Sequence, residues 1–241
     1  MIDKIIHYCW FGRKEKPDEV KNNIRNWSKI LPDYNIIEWN EDTIHYEQLS
    51  EYAKNAFNLK EWAFLSDYVR LRVLYEYGGI YMDTDVEVIK KFDDLLMYNK
   101  VFIGFESRFS VCSAVIGAEK NSNFIKKLLN LYQKNFFVEK ISINKTPNSK
   151  LFFEYIEKNY GSINFLKITR YEDFTLFPAE YFSPINCYTL KTNISKNTYT
   201  IHYFLSSWKN KKSIYKDKIL ALITRIIGEE NREKIRKILK K

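Results

Sequence analysis

One stretch, residues 62–87, limits what this chain can fold into more than any other. It opens with apolar residues at helical spacing, which predicts a helix with one buried stripe. Gly78 and Gly79 then supply the left-handed backbone that ends a helix, and residues 80–82 predict a short buried strand. That strand delivers Asp83 and Asp85 at its C-terminal end. The residues expected to share the helical stripe are Phe64, Tyr68, Leu71 and Tyr75.

The acidic pair is predicted to lie at a ligand-binding edge. In open α/β sheets, ligands bind where strands end at their carboxyl termini. Asp67 and Arg70, three residues apart on the preceding helix, share a face that could point to the same place. An isolated Asp-x-Asp is also typical of a solvated turn, and Asp67 with Arg70 could be a surface ion pair of little energetic value. The order of helix, glycine pair, strand and acidic pair favours a functional site.

The carboxylates predict a metal site. The chain has seven glycines, and neither G-x-G-x-x-G nor G-x-x-x-x-G-K occurs in it. A glycine-rich phosphate cradle is therefore absent, and a bound diphosphate would need another means of attachment. Carboxylate oxygens prefer Mg²⁺ or Mn²⁺, and such a cation would offset the charge that builds on a leaving diphosphate.

Composition predicts one globular domain with a small extension. The 241 residues are 45% hydrophobic and 17% aromatic, which excludes a disordered chain. No run of about 18 apolar residues occurs, and the first residues lead directly into a strand-like segment, so we expect a cytoplasmic protein. Cys9, Cys112 and Cys187 are widely spaced and predict neither a disulfide framework nor a zinc site.

The positive charge is concentrated in the last 33 residues. Residues 209–241 contain 12 Lys or Arg and 4 Asp or Glu, a net charge of +8 out of the total of +9. Because the rest of the chain is nearly neutral, nucleic-acid binding is disfavoured. Apolar residues recur at helical spacing on both sides of Gly228, which predicts a pair of basic amphipathic helices on an anionic membrane. The alternative is a helical tail docked on its own domain.

The order of elements predicts an α/β fold with a parallel, Rossmann-like sheet, because strands and helices alternate along the chain. Residues 198–204 are a β-rich run that carries His202. His7 is expected to be a hydrogen-bonded core histidine rather than a ligand. Predicted strands cover residues 4–12, 35–39, 80–82, 86–88, 101–105, 111–117, 165–168 and 174–177. Predicted helices cover residues 17–31, 47–56, 62–77, 121–134 and 147–158.

Three blocks, residues 4–12, 66–85 and 201–208, resemble the glycosyltransferases of family 32, the group with the DXD sugar-binding region. That group includes the yeast initiating α-1,6-mannosyltransferase and bacterial capsule and lipopolysaccharide enzymes. The middle block is also similar to the glucosyltransferase domain of the large clostridial toxins. The resemblance implies a GT-A fold and transfer from a nucleotide sugar with retention at the anomeric carbon.

The resemblance also implies roles for residues that bind the nucleotide. Trp10, after the first strand, would stack on the base, and Trp62 and Ser66 would lie near the base or ribose. Ser207 and Trp208 would cover the diphosphate.

Further roles follow for the residues around the sugar and metal. Asp67 and Arg70 would hydrogen-bond the sugar hydroxyls, and Asp83 would contact ribose or sugar and reach the metal through water. Asp85 would bind the metal directly, and His202 would complete its coordination. Tyr81 would lie near the transferred sugar, which completes the predicted catalytic and binding set.

These observations predict a metal-dependent, retaining hexosyltransferase. It would use a UDP-hexose and Mn²⁺ or Mg²⁺ to extend a saccharide or lipid-linked acceptor in bacterial surface polysaccharide synthesis, at the inner face of the membrane and without nucleic acid. Residues 1–208 would form the catalytic domain and residues 209–241 the basic helices. Glu106, after a strand, could contact the acceptor. Two alternatives stay open: a retaining glycoside hydrolase, whose two carboxylates lie about 5 Å apart, and a non-enzymatic binding protein with a basic tail.

Overall fold

A seven-stranded sheet organises the protein, and the computed structural model describes residues 1–134, 146–161, 163–205 and 211–238. The strands are β1 Ile5–Cys9, β2 Asn35–Trp39, β3 Gly79–Met82, β4 Val86–Val88, β5 Val101–Ser107, β6 Ser110–Ala118, β7 Thr169–Arg170, β8 Thr175–Phe177 and β9 Thr200–His202. The helices are α1 Asp18–Ile30, α2 Glu51–Asn58, α3 Trp62–Tyr77, α4 Asp93–Tyr98, α5 Asn123–Leu129, α6 Leu131–Lys134, α7 Asn148–Tyr160, α8 Lys211–Ile227 and α9 Glu229–Ile238.

The large sheet has the strand order β2-β1-β3-β6-β5-β8-β7. β1 runs parallel to β2 and β3, and β5 runs parallel to β8, whereas β6 is antiparallel to both β3 and β5. The predicted α/β class is confirmed, and parallel pairing was predicted correctly for β1, β2 and β3. Strand β6 departs from the predicted parallel arrangement because only two residues connect β6 to β5. So short a connection can join only antiparallel neighbours.

Side chains of successive strand residues enter two hydrophobic clusters. Ile80 and Met82 of β3 belong to one cluster, and Tyr81 between them belongs to the other. The same alternation separates Ile103 of β5 from Phe102. Because neighbouring strand residues point to opposite faces, the sheet has a packed core on each side. Both faces of such a sheet are covered by side chains and closed to solvent, so a ligand can reach only its edges.

Helix α3 is buried around more of its circumference than the single predicted stripe. Leu65, Val69 and Leu74 are buried as well as Tyr68 and Leu71, while the side chains of Phe64 and Tyr75 are only partly buried. The helix contacts α2 and α5 as well as strands β1, β3 and β6, so it lies inside the domain rather than on its surface. A helix with neighbours on several sides needs apolar residues around most of its circumference.

The glycine pair ends α3 as predicted. Gly78 has φ +72° and Gly79 has φ +94°, values that a side chain strongly disfavours. A Cβ atom would lie 2.8 Å from the Lys120 nitrogen at Gly78 and 2.6 Å from the Ile5 carbonyl oxygen at Gly79. The chain can therefore leave α3, turn and pair with β1 within a few residues. This turn fixes where β3 ends.

Several predicted boundaries need correction. Strand β4 leaves the large sheet and pairs with β9 in a separate two-stranded sheet, and Glu106 lies inside β5 rather than after it. The predicted helix 121–134 is interrupted at Asn130. Residues 165–168 form a turn because the Asn164 side chain accepts a hydrogen bond from the Leu166 amide, and the strand begins only at Thr169.

The C-terminal helices α8 and α9 are separated by Gly228, as predicted, and they contact residues 186–189. Arg225 Nε donates to the Thr189 carbonyl at 2.7 Å, and Arg232 Nη1 donates to the Tyr188 carbonyl at 3.1 Å. The Asn186 side chain donates to Glu229 at 2.8 Å. None of the described helices is long and apolar enough to cross a membrane. The division into residues 1–208 and 209–241 stays a prediction.

His7 is a fully buried core histidine, as predicted. Its Nε2 lies 2.8 Å from the Gly78 carbonyl oxygen, and its Nδ1 accepts a hydrogen bond from Trp39 Nε1 at 3.1 Å. A carbonyl can only accept and an indole can only donate, so the ring is neutral with its proton on Nε2. Burial lowers the pKa of His7 from its ordinary 6.5 to about 4.

Protonation of His7 should destabilise the fold in acid. Because the folded pKa lies below the unfolded value, the contribution of neutral His7 is fully present above pH 6.5 and declines as the pH falls toward 4. The free energy of unfolding of the wild type, relative to His7→Gln, should fall by about 3 kcal/mol between pH 7 and pH 4. Denaturant unfolding across this range measures it. His45→Gln, which removes an exposed imidazole, should leave the profile unchanged, and parallel wild-type and His7→Gln profiles would contradict the assignment.

Candidate active site

The acidic residues meet where parallel strands end together. β1 and β3 are parallel neighbours with His7 paired to Tyr81, so Trp10 and Asp83 both leave the sheet at the same edge. β4 begins just beyond, and its pairing places Val86 opposite His202 of β9. His202 is therefore held beside Asp85 by backbone pairing.

Arg70 is the centre of the first group of site residues. Its Nη2 lies 3.0 Å from Asp67 Oδ1 and 3.3 Å from Asp83 Oδ1, and its Nη1 donates to the Ser113 carbonyl at 2.6 Å. The guanidinium carbon lies 4.7 Å from the centre of the Tyr81 ring, and Tyr81 Oη donates to Asp83 Oδ1 at 2.9 Å. Helix α3 and strands β3 and β6 are thereby linked through one side chain.

Arg70 and Tyr81 are buried and the two aspartates are partly buried, which makes their charges strongly interdependent. Arg70 is only 4% exposed, so Asp67 and Arg70 do not form a surface ion pair. Burial raises the pKa of Asp67 to about 7, and the opposing positive charge of Arg70 limits the rise. Burial alone would lower the pKa of Arg70, but Asp83, Tyr81 and Asp67 hold it well above its ordinary value. Arg70 therefore stays charged and balances the carboxylates.

Asp85 is the centre of the second group. Its Oδ1 lies 3.4 Å from His202 Nε2, and its Oδ2 accepts a hydrogen bond from the Leu205 amide at 2.9 Å. Burial favours the neutral carboxyl, but His202 and this amide outweigh it and lower the pKa of Asp85. Burial would likewise lower the pKa of His202, and Asp85 instead raises it well above the ordinary value.

The two groups together supply a donor set that fits a divalent cation. One ligand atom from each of Asp83, Asp85 and His202 lies within 4.8 Å of the others. Hydrogen bonds from Arg70 and Tyr81 orient the Asp83 carboxylate. Two carboxylate oxygens and one imidazole suit Mn²⁺ or Mg²⁺, with Mn²⁺ the more tolerant of nitrogen. The predicted ligands are thus brought together in space.

The predicted nucleotide-binding residues lie beside this edge. Trp10 is partly buried, its Nε1 donates to the Lys14 carbonyl at 2.7 Å, and Lys16 Nζ lies 5.9 Å from the ring centre. Trp62 packs against Phe11 with ring centres 6.3 Å apart. The Ser66 hydroxyl donates to the Trp62 carbonyl at 2.9 Å. The roles of these side chains stay predictions, and Ser207 and Trp208 lie outside the described residues.

Backbone groups and one amide side chain complete the site, and the sequence did not reveal them. The Ser113 carbonyl accepts from Arg70, the Ala114 carbonyl accepts from the Asp83 amide at 2.9 Å, and the Leu205 amide binds Asp85. Asn148 Nδ2 donates to the Asp67 carbonyl at 3.2 Å. A main-chain group is common to all residue types, so no residue pattern could have indicated the first three.

Comparison with known proteins identifies the class. Residues 17–102 match the family model described as a glycosyltransferase sugar-binding region containing the DXD motif. Uncharacterized glycosyltransferase L373 of Acanthamoeba polyphaga mimivirus is 27% identical over 92% of each chain. Inositol phosphoceramide mannosyltransferase 3 of Schizosaccharomyces pombe is 28% identical over 53% of this chain, which spans only 36% of that protein.

The fold agrees with this class. The solved PaToxG glycosyltransferase superposes with a TM-score of 0.51 and 22% identity, over 65% of this chain and 68% of that one. The predicted GT-A fold and the predicted resemblance to DXD glycosyltransferases are both confirmed. The chain is therefore a transferase that carries a glycosyltransferase sugar-binding region with the DXD motif, and the hydrolase and non-enzymatic alternatives are set aside.

Loss of the Arg70 charge should destabilise the domain strongly. Arg70→Met leaves Asp67 and Asp83 without their buried counter-charge, and the expected cost in free energy of unfolding is about 3–5 kcal/mol. Denaturant unfolding measures it. The matched control is Arg13→Met, because Arg13 and Asp42 form a pair that is about two-thirds exposed, and its cost should stay below about 1 kcal/mol. Equal small losses in both variants would show that Arg70 does not hold the site together.

Proposed function

We propose that the protein transfers a hexose from a nucleoside-diphosphate sugar, with UDP-hexose as the donor, to a saccharide or lipid-linked acceptor. The observation that carries this proposal is the meeting of Asp83, Asp85 and His202 at the sheet edge, with both aspartates inside the matched DXD region. The anomeric configuration of the hexose would be retained, as the family resemblance implies. No nucleic acid takes part in this function.

Asp85 and His202 would hold a divalent cation directly, with Asp83 reaching it through water. Mn²⁺ is the proposed ion, with Mg²⁺ as the alternative of similar chemistry. Such an ion would neutralise the negative charge that develops on the diphosphate as it leaves the sugar.

The protein's own residues would position the sugar. Arg70 and Asp67 face the same region as Asp83, and their mutual contacts fix both side chains before a donor binds. Groups held in place in this way need no reorganisation in the transition state. The acceptor hydroxyl would attack from the face that the diphosphate leaves, and the departing phosphate would take its proton. Tyr81, which orients Asp83, would lie near the transferred sugar.

The nucleotide would lie beside Trp10 and Trp62, next to the acidic edge of the sheet. Trp10 would stack on the base, and Trp62 and Ser66 would line the base or ribose pocket, with Ser207 and Trp208 over the diphosphate. Stacking fits Trp10 because its indole nitrogen is already satisfied by Lys14, which leaves the ring as its contact surface.

Mannose, offered on both UDP and GDP, is the first hexose to test, because the fission yeast relative is named for mannosyl transfer. A role in a bacterial capsule stays a prediction, since the two relatives named above come from a virus and a yeast.

Removal of one cation ligand should abolish metal-dependent nucleotide binding. Asp85→Asn keeps the size of the side chain but loses the charge, so affinity for UDP in the presence of Mn²⁺ should fall by at least about 10–100-fold. Calorimetric titration with UDP and GDP, with and without Mn²⁺, measures it. Asp42→Asn, which changes an exposed carboxylate, should bind as the wild type does.

Each outcome of that titration has a distinct meaning. Binding of GDP instead of UDP would show that the donor carries guanine rather than uracil, and the assignment of the metal site would stand. Unchanged, Mn²⁺-dependent binding by a folded Asp85→Asn variant would overturn the assignment of the cation ligands.

We propose further that helix α8 holds the enzyme on an anionic membrane at the cytoplasmic face. The face of α8 made of Ile219, Leu222, Ile223 and Ile226, called here the isoleucine face, is exposed, with Ile226 at 86%. Ala221 and Thr224, on the other side of the helix, are buried. The helix therefore rests on the domain through small residues and presents its large aliphatic residues outward, unlike an amphipathic helix docked by its apolar face.

Charge identifies the proposed occupant of the isoleucine face. Residues 209–241 carry a net charge of +8, and apolar side chains surrounded by Lys and Arg suit the headgroup region of an anionic bilayer. Helix α8 begins six residues after Leu205, whose amide binds Asp85. A lipid-linked acceptor would then lie on the same surface that holds the enzyme.

Removal of exposed apolar surface should release the protein from membranes without harming the fold. The double variant Leu222→Gln, Ile226→Gln should lose binding to phosphatidylserine-containing vesicles at low salt by about 100-fold or more, because each insertion of an aliphatic side chain contributes about 1.5–3 kcal/mol. Vesicle co-sedimentation measures it, and metal-dependent UDP binding should persist. Ile194→Gln, at another exposed aliphatic position, is the control.

Two results would contradict the membrane role. One is equal vesicle binding by the double variant and the wild type. The other is a wild type that self-associates through the isoleucine face and ignores vesicles, which would assign the face to a second copy of the chain.

A further inference from the structure

Three buried side chains of different chemistry meet next to the proposed cation site. They are Glu106 of β5, Cys112 of β6 and His202 of β9, which are 7%, 0% and 9% exposed. One ligand atom from each lies within 4.8 Å of the others. Only His202 is common to this cluster and to the one formed with Asp83 and Asp85.

A break in strand pairing creates this cluster. β5 and β6 pair as Ile103 with Ile116 and then as Gly104 with Cys112, so residues 113–115 of β6 have no partner on β5. The bulge lets Cys112 approach His202, while the Ser113 carbonyl turns to Arg70. Bulges of this kind commonly redirect side chains next to functional sites.

His202 supplies an independent sign that something binds here. Its Nε2 lies near Asp85, but its buried Nδ1 has no hydrogen-bond partner among the described residues. Cys112 is the neighbouring side chain of His202 within the cluster. A buried polar atom without a partner costs on the order of 1–3 kcal/mol, so native structures rarely keep one without a ligand or a function.

We propose that Glu106, Cys112 and His202 form a second cation site, which selects Zn²⁺ over Mg²⁺ and Mn²⁺. A carboxylate, a thiolate and an imidazole are three ligands that Zn²⁺ takes readily, with a fourth position left for water. Mg²⁺ and Mn²⁺ prefer oxygen ligands and gain little from sulfur. The wide spacing of the cysteines predicted no zinc site, because only one cysteine takes part. Glu106 lies on the adjoining strand β5, and His202 comes from β9, far away in the sequence.

Binding at this site releases protons to solvent. The Cys112 thiol loses its proton as the sulfur forms a bond to Zn²⁺, and the His202 nitrogen that binds the ion must likewise give up any proton it carries, so no oxidant or reductant is needed. The hydroxyl groups of Ser110 and Ser149 contact Glu106 and would orient its carboxylate.

The shared histidine makes the two sites mutually exclusive. A neutral imidazole has one nitrogen that can bind a metal ion and one that carries a proton. When Nδ1 binds Zn²⁺, Nε2 keeps its proton and cannot bind an ion beside Asp85. Zn²⁺ would therefore inhibit the enzyme by taking His202 from the catalytic cation. This consequence, unlike the zinc site itself, rests on the proposed function of Asp85 and His202.

Cobalt substitution tests the site on the full chain. Co²⁺ bound to a thiolate shows a sulfur-to-metal charge-transfer absorption in the near ultraviolet, which an oxygen site does not give. We expect this band in the wild type, its loss in Cys112→Ser, and its retention in the controls Cys9→Ser and Cys187→Ser. Zn²⁺ should displace Co²⁺ and remove the band. Absence of the band from the wild type, or its persistence in Cys112→Ser, would overturn the proposal.

Two further variants keep the test decisive. Glu106→Gln retains the side-chain volume and should weaken Co²⁺ binding about tenfold or more even if Cys112→Ser fails to fold. Asp85→Asn should retain the band, so failure of the catalytic proposal leaves this test intact.

A Zn²⁺ titration in the presence of Mn²⁺ and UDP should inhibit UDP binding by the wild type and spare Cys112→Ser. Equal inhibition of both would overturn the proposed inhibition.

Discussion

The buried guanidinium of Arg70 is the interaction on which the site depends. It joins Asp67 on its own helix, Asp83 after β3 and the Ser113 carbonyl of β6, and it lies over the Tyr81 ring. A charge removed from water is tolerated only when every donor has a partner. Only the complete helix-strand-strand arrangement satisfies this condition, so the acidic edge depends on the central sheet.

The local part of this arrangement could be predicted from sequence. The helix, the glycine turn and β3 lie within about twenty residues, and each has a direct signal in residue type, with Gly78 and Gly79 required by positive φ. Asp67, Arg70 and Asp83 were identified because helical spacing and strand polarity place them together. Asp85 followed from the same pattern, and the resemblance to DXD enzymes then added His202, which the structure brings within ligand distance of both aspartates.

The remainder depends on contacts that no local pattern encodes. The pairing of β4 with β9, the bulge in β6 and the location of Glu106 within β5 arise from tertiary packing. Periodicity detected the apolar residues of α8 but could not show which side meets the domain. The structure exposes Ile226 and buries Thr224, because the contact with residues 186–189 is made largely by polar side chains.

The contact between Arg70 and Ser113 also has an evolutionary consequence. Arg70 binds the carbonyl of residue 113, and that atom is present whatever side chain the position carries. Selection can therefore preserve the bulge while the identity of residue 113 drifts freely among relatives. A residue essential to the geometry would then vary from one protein to the next, and ranking positions by sequence conservation would overlook it.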